Sequence, residues 1–237
     1  MVTNKRTKEK YSEAKEFYKL DEESQGQKNY AEKILLENLV KDSFDSILEV
    51  GCGNGHFLEN FPSHNKKGLE LSQEMINNSG DNRKYIFQGD ITDYSSFNGL
   101  DKEKFDRIVS HYVFTEIDKK GLERSFKNVR NMLNPSGKLV FTITDPRTRH
   151  LMEFDGYKLD FDNEEYDYNR EDIPFTVLLR SEDQKYVDVG IRDFHNPIEV
   201  YDSLLKEAGF SDIQRTDIKR PQDKDNFAVM YEVGNNP

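Results

Sequence analysis

Three glycines and three acids carry the clearest chemical signal in the chain. Gly51, Gly53 and Gly55 occupy alternate positions, with Glu49 two residues ahead of the first. Glu70 and then Asp90 follow at intervals of about 20 residues, and an acid at the first interval is the one placed for ribose hydroxyls. Glycines lack a Cβ, so a ligand can approach the backbone closely. A helix beginning there adds unpaired N–H groups. The dinucleotide fingerprint puts its third glycine one residue later, so this spacing departs from a pyrophosphate cradle. A carboxylate at Glu49 repels phosphate and accepts hydrogen bonds from an ammonium group. The expected ligand is nucleotide-like, with no phosphate beside Glu49. Cys52, within the loop, reads as a small residue packed beneath the ligand rather than a nucleophile. The five histidines lack metal-ligand spacing, so no metal is expected. His111 and His195 are the candidate proton acceptors.

Short strands must hold these residues. Ile47, Leu48 and Val50 form an apolar run before the glycines, and a helix-like segment is expected after them. Residues 66–71 read as a second strand ending at Glu70, with a helix starting at Ser72. Residues 85–88 make a third strand that delivers Asp90. A fourth, 105–110, places His111 at the ligand crevice of an open α/β sheet. A helix over 121–133, ended by Asn134 and Pro135, leads into a fifth strand. Before the first strand, residues 30–40 carry apolar residues at helical spacing and should dock on the sheet.

The run Glu49-Val-Gly51-Cys-Gly53-Asn-Gly55 resembles the first motif of the class I S-adenosylmethionine (SAM)-dependent methyltransferases, E/D-x-G-x-G-x-G, without departure. The segments 105–110 and 134–143 are also family-like, and the resemblance covers about Ile47 to Thr144. It resumes, more weakly, from Asn196 to Val233. It implies a doubly wound, Rossmann-like seven-stranded sheet with the last strand antiparallel. It also implies a substrate lid inserted after strand five, over 146–195, and an N-terminal helical cap over 1–45. The methyltransferase domain then spans 46–237. The resemblance places Glu49, Gly51, Gly53, Gly55, Glu70, Leu71, Asp90, Ile91 and Ser110 against the cofactor SAM. Tyr18, His111, Tyr112 and His195 are placed against the substrate. Glu70 is expected to serve the ligand alone, so that removing it leaves the ligand-free fold unchanged.

Within the insertion, residues 153–172 hold nine acids against Lys158 and Arg170, interleaved with Phe154, Tyr157, Phe161, Tyr166 and Tyr168. Carboxylates and ring faces both favour a cationic acceptor; a solvated acidic loop is the plainer account. Residues 174–180 and 185–190 read as two strands of a hairpin. The chain has 237 residues, one cysteine and a net charge of −11. Such a balance argues against a nucleic-acid partner, which needs clustered basic residues. No apolar run approaches the roughly 20 residues of a membrane helix. No signal peptide is visible, so a cytoplasmic protein is expected, either monomer or homodimer. The expected activity is methyl transfer from SAM to an O or N atom of a small molecule. Alternatives are SAM chemistry other than methyl transfer, such as cyclisation of its aminobutyl part, a non-catalytic SAM-binding partner, and a nicotinamide-dependent oxidoreductase, which the glycine spacing and Glu49 disfavour.

Overall fold

The computed structural model describes residues 26–235, apart from 63, 98, 152, 155, 156, 162–165 and 181–184. Tyr18 and the segment 9–20 lie outside them.

Seven strands form the main sheet: β1 (Ser46–Val50), β2 (Asn65–Glu70), β3 (Ile86–Gln88), β4 (Phe105–His111), β5 (Leu133–Thr144), β10 (Asp212–Ile218) and β11 (Ala228–Gly234). Their order is β10-β11-β5-β4-β1-β2-β3. The pairs joining β3, β2, β1, β4 and β5 are parallel, and β11 runs antiparallel to both neighbours. This is the expected sheet, last strand included. Side chains alternate across it with period two. Ile47, Val109 and Val140 face α1 (Gly26–Leu39), which buries Ala31, Leu35 and Leu39 against them. Leu48, Ile108, Leu139 and Phe141 face the opposite side, packing with α3 (Lys119–Met132) and α4 (Ile198–Glu207). Between β2 and β3 lies the short α2 (Gln73–Asn77), where Ser72 accepts the Met75 N–H as the expected cap.

Two local expectations are corrected. After the glycine loop comes a single 3-10 turn, Phe57–Asn60, instead of an α-helix. Pro62 pushes Phe61 out of the helical region, and β2 begins at Asn65, so the chain has no length for more turns. α3 ends at Met132, before Asn134 and Pro135, because Leu133 already pairs with Phe105 of β4.

Between β5 and α4 the chain builds a second antiparallel sheet: β6 (Glu153–Phe154), β7 (Tyr157–Asp160), β8 (Ile173–Arg180) and β9 (Tyr186–His195). The expected hairpin is β8–β9, and β9 runs on to His195. β6 and β7 enlarge it to four strands.

Candidate functional site

A cavity of about 360 Å³ opens at the carboxyl ends of β1, β2, β4 and β5, the place where open α/β sheets bind ligands. Gly51 and Gly53 line it, and both have positive φ (+72° and +55°). A side chain on Gly51 would strike Val113, whose Cγ2 would lie 2.2 Å from the added Cβ. At Gly53 the added Cβ would meet only the flexible end of Met75, at 3.0 Å. Gly53 is therefore the loop position at which the backbone is open toward the cavity. Gly55 (φ +78°) is a packing glycine: a Cβ there would press on Asn82 and Ile86, and the residue stands off the cavity wall.

Glu70 lines the cavity and organises it. Its two carboxylate oxygens accept the Gly53 N–H at 2.8 Å and the Ser72 N–H at 2.7 Å. Burial raises its pKa, and the backbone N–H groups of Ser72, Gly53 and Leu71 oppose that shift. Each oxygen keeps a second lone pair for a ligand hydroxyl. The expectation that Glu70 serves the ligand alone is thus corrected, because it also ties the glycine loop to the start of α2. Replacing Glu70 with Ala should weaken SAM binding by about 10-fold to 100-fold, the range of a lost charged hydrogen bond. It should also lower the ligand-free melting temperature by several degrees, since two buried N–H groups lose their acceptor. Calorimetry and thermal denaturation on the same variant read both effects.

Leu71, Asp90 and Ile91 are on the wall as well. Asp90 Oδ1 accepts the Thr92 N–H at 2.8 Å, which fixes its loop. Glu49 lies one residue behind the wall, on the face of β1 that carries Ile47. Its Oε2 is buried without a partner among the described residues. Burial, with Glu32 and Glu70 nearby, raises its pKa well above the ordinary range. A buried acceptor beside an open glycine and a ribose-ready carboxylate fits a nucleoside bearing an ammonium group. Cys52 packs under the loop, its sulfur 2.3 Å from where a Cβ on Gly68 would stand, and burial raises its thiol pKa well. It is a filler and no thiolate. Ser110 is fully buried, and its hydroxyl donates to the Val50 carbonyl at 3.2 Å, tying β4 to β1.

His111 and Tyr112 reach the cavity from the end of β4. His111 Nδ1 lies 2.6 Å from Thr142 Oγ1 of β5, and its Nε2 is buried, with the Lys28 backbone beside the ring. Burial pushes its pKa down to about 3, the Lys28 charge adding to the shift and a hydrogen bond to the Lys28 backbone opposing it. Tyr112 has φ +62°, a conformation that a bulky residue rarely adopts, and its ring stands 4.4 Å from that of His111.

His195 is not brought to the cavity. It is 1% exposed, its Nε2 donates to the Tyr168 carbonyl at 3.0 Å, and its Nδ1 faces the Arg149 guanidinium at 3.4 Å. With both nitrogens engaged, it sits in a buried polar knot instead of on the wall. Arg149, fully buried, also donates to the Phe194 and Thr144 carbonyls and stacks on Phe175.

The second sheet supplies the remaining wall. Leu159, Val177 and Ile191 stand in register across β7, β8 and β9, and all three line the cavity with Tyr157 and Asp193. Of the aromatic run, Phe161 is buried against Phe175 and Val177. The Tyr166 hydroxyl donates to the Pro146 carbonyl and that of Tyr168 to Glu199. The alternation of rings among these residues therefore records packing. Gln27, Lys28, Thr115 and Asp193 were not singled out by sequence reasoning. Asp193 alone leaves a trace there, as an acid two residues from Ile191 on one strand face.

A family model described as a methyltransferase domain matches residues 48–141. Malonyl-[acyl-carrier protein] O-methyltransferase 2 of Ilyobacter polytropus is 30% identical over 199 residues, covering 78% of this chain and 71% of that protein. Among solved structures, an S-adenosylmethionine-dependent methyltransferase from Clostridium acetobutylicum superposes with a TM-score of 0.62 at 21% identity, over 89% of this chain and 91% of the other. A glycopeptide N-methyltransferase complexed with S-adenosyl-L-methionine superposes with a TM-score of 0.60 at 15% identity, over 87% of each chain. The glycine loop, the sheet order and these likenesses agree, and the chain belongs to the class I S-adenosylmethionine-dependent methyltransferases.

Proposed function

We propose that this methyltransferase acts on an oxygen or nitrogen atom of a small molecule held between the end of β4 and the second sheet. One observation carries the reading: a single cavity runs from the glycine loop and Glu70 to the apolar row Leu159, Val177 and Ile191. SAM supplies an activated methyl group on a sulfonium. In this reading Gly51, Gly53, Glu70, Leu71, Asp90 and Ile91 hold it, with Glu49 beneath them as the partner of its ammonium end. Gly55 and Ser110 support that wall from behind. The second sheet acts as the lid, holding the acceptor and excluding water, because methyl transfer asks mainly for alignment at about 3 Å. His111 presents Nε2 to the acceptor atom, as hydrogen-bond partner or proton acceptor, and Tyr112 fixes its ring. The start of α1 caps the site, since Gln27 and Lys28 are on the wall.

The Ilyobacter relative is named for O-methylation and the glycopeptide enzyme for N-methylation, and both atom types suit this arrangement. Incubation with isotopically labelled SAM and a metabolite extract, followed by mass spectrometry, should reveal a product heavier by one labelled methyl group. A SAM-derived product with no methylated partner would favour cyclisation instead. Affinity for SAM without any product would favour a non-catalytic binding role. A monomer or homodimer in the cytoplasm goes with this reading; light scattering and cell fractionation test each. No helix among the described residues is long and apolar enough to cross a membrane.

The lid role makes its own prediction. Changing Leu159, Val177 and Ile191 together to Ala should raise the acceptor KM about 10-fold or more while SAM affinity stays within a few-fold. Equal losses of both, in a protein shown to be folded, would count against a substrate-specific lid.

A further inference from the structure

We propose that Asp193 is the group that recognises the acceptor, and that it selects an amine carried on an apolar body. The inference deepens the methyltransferase reading and rests on it. Asp193 stands on β9, two residues from Ile191, so both side chains share the strand face that lines the cavity. It is 6% exposed. A carboxylate so placed needs donors, because burying one without them is costly.

The donors around it serve it only in part. The Thr115 hydroxyl is within hydrogen-bonding reach of Asp193 and lies 2.6 Å from the Tyr112 carbonyl, and its one proton serves only one of the two acceptors at a time. The Arg149 guanidinium donates to the Phe194 and Thr144 carbonyls and faces His195 Nδ1. Arg149 therefore lends Asp193 a favourable charge through space; its two terminal nitrogens direct these bonds away from it, and its Nε is buried without a partner among the described residues. Burial raises the Asp193 pKa; Arg149 and Thr115 oppose the rise. The carboxylate is thus held in the cavity wall with lone pairs to offer, and an ammonium or amine N–H is the donor that satisfies them best. The neighbouring row of Leu159, Val177 and Ile191 takes an aliphatic or ring-bearing body. Of the acidic run, the described acids Asp160, Asp167, Glu171 and Asp172 are exposed and play no part in this.

The cavity wall also carries Lys28, its one Lys or Arg among the described residues. That side chain would suit a carboxylate acceptor, so the test sets the two chemistries against each other. The protein is saturated with S-adenosylhomocysteine and titrated with hexylamine, 1-hexanol and hexanoate, probes of equal length. Hexylamine should bind about 10-fold or more tighter than hexanoate. Asp193→Asn should lose about 10-fold to 100-fold of the hexylamine affinity, a charged hydrogen bond converted to a ratio, while binding S-adenosylhomocysteine as the parent does. Tighter binding of hexanoate than of hexylamine overturns the proposal, as does binding of none of the probes. Unchanged hexylamine binding in Asp193→Asn overturns it too. The ranking of the three probes on the unaltered protein stands whether or not the variant folds. S-adenosylhomocysteine binding separates the two levels. Its absence overturns the methyltransferase reading together with this one, whereas its presence without amine selectivity overturns Asp193 alone.

Discussion

Gly53→Val should reduce SAM affinity by more than about 100-fold, to the limit of calorimetric detection, in a protein that still folds. Two physical effects act together. Gly53 has φ +55°, which a β-branched residue adopts only with strain. Relieving that strain moves the loop and breaks the 2.8 Å bond from the Gly53 N–H to Glu70. The new side chain also occupies the open side of the loop, where only the end of Met75 lies within contact distance. Gly51→Val is the instructive contrast. Its Cβ would lie 2.2 Å from Val113 Cγ2, so the loss there should begin with folding and appear as a lowered melting temperature. Wild-type affinity in Gly53→Val would sink the assignment of this loop.

His111→Ala should lower kcat by about 10-fold, the scale of a lost hydrogen bond to the acceptor, and leave SAM affinity within a few-fold. The pH dependence is more particular than an ordinary histidine would give. An unperturbed imidazole loses its proton near 6.5, but burial lowers this one to about 3. The neutral form, which can accept a proton or hydrogen bond, is present above the lowered value and is lost only as pH falls through it. The rate should therefore show no His111 ionisation between pH 6 and 8, and any His111-dependent acid limb should lie well below 6. A limb near 6.5 that disappears in His111→Ala would show that the site is wetter than its burial implies. His195→Ala should behave differently. Removing it leaves the Tyr168 carbonyl and the Arg149 guanidinium short of a partner, so the expected result is a lower melting temperature.

Much of this was legible in the residues. The glycine spacing, the acids behind β2 and β3, and the strand-like runs 47–50 and 105–110 fix the half of the cavity proposed to hold the cofactor. They do so because each is a local signal: a turn needs glycine, a buried strand needs an apolar run, and a parallel sheet delivers its strand ends to one side. The place of His111 on the cavity wall was legible for the same reason. The other half was hidden because it depends on cross-strand register. Leu159, Val177 and Ile191 become neighbours only when β7, β8 and β9 pair, and nothing in their own segments announces it. Arg149 is equally silent: an arginine beside His150 reads as solvated, yet it is fully buried. His195 misled in the opposite sense, since its place at the lid's end suggested chemistry while its two nitrogens are spent on structure. The helix expected after the glycines failed on a matter of length, with Pro62 and the start of β2 leaving room for one turn.

Arg149 joins the place where the chain leaves the main sheet, Thr144, to the end of the second sheet, at Phe194 of β9. The 50 or so residues between are therefore a closed excursion whose ends are clamped by one side chain. Closing a loop costs little more when it lengthens, about 0.6 kcal/mol for each doubling. Insertions and deletions inside the excursion should thus be cheap for the molecule as a whole, provided the arginine and its two carbonyls are kept. Descendants of this chain could exchange one acceptor for another by rewriting that stretch, while the strands proposed to hold the nucleoside inherit no change at all.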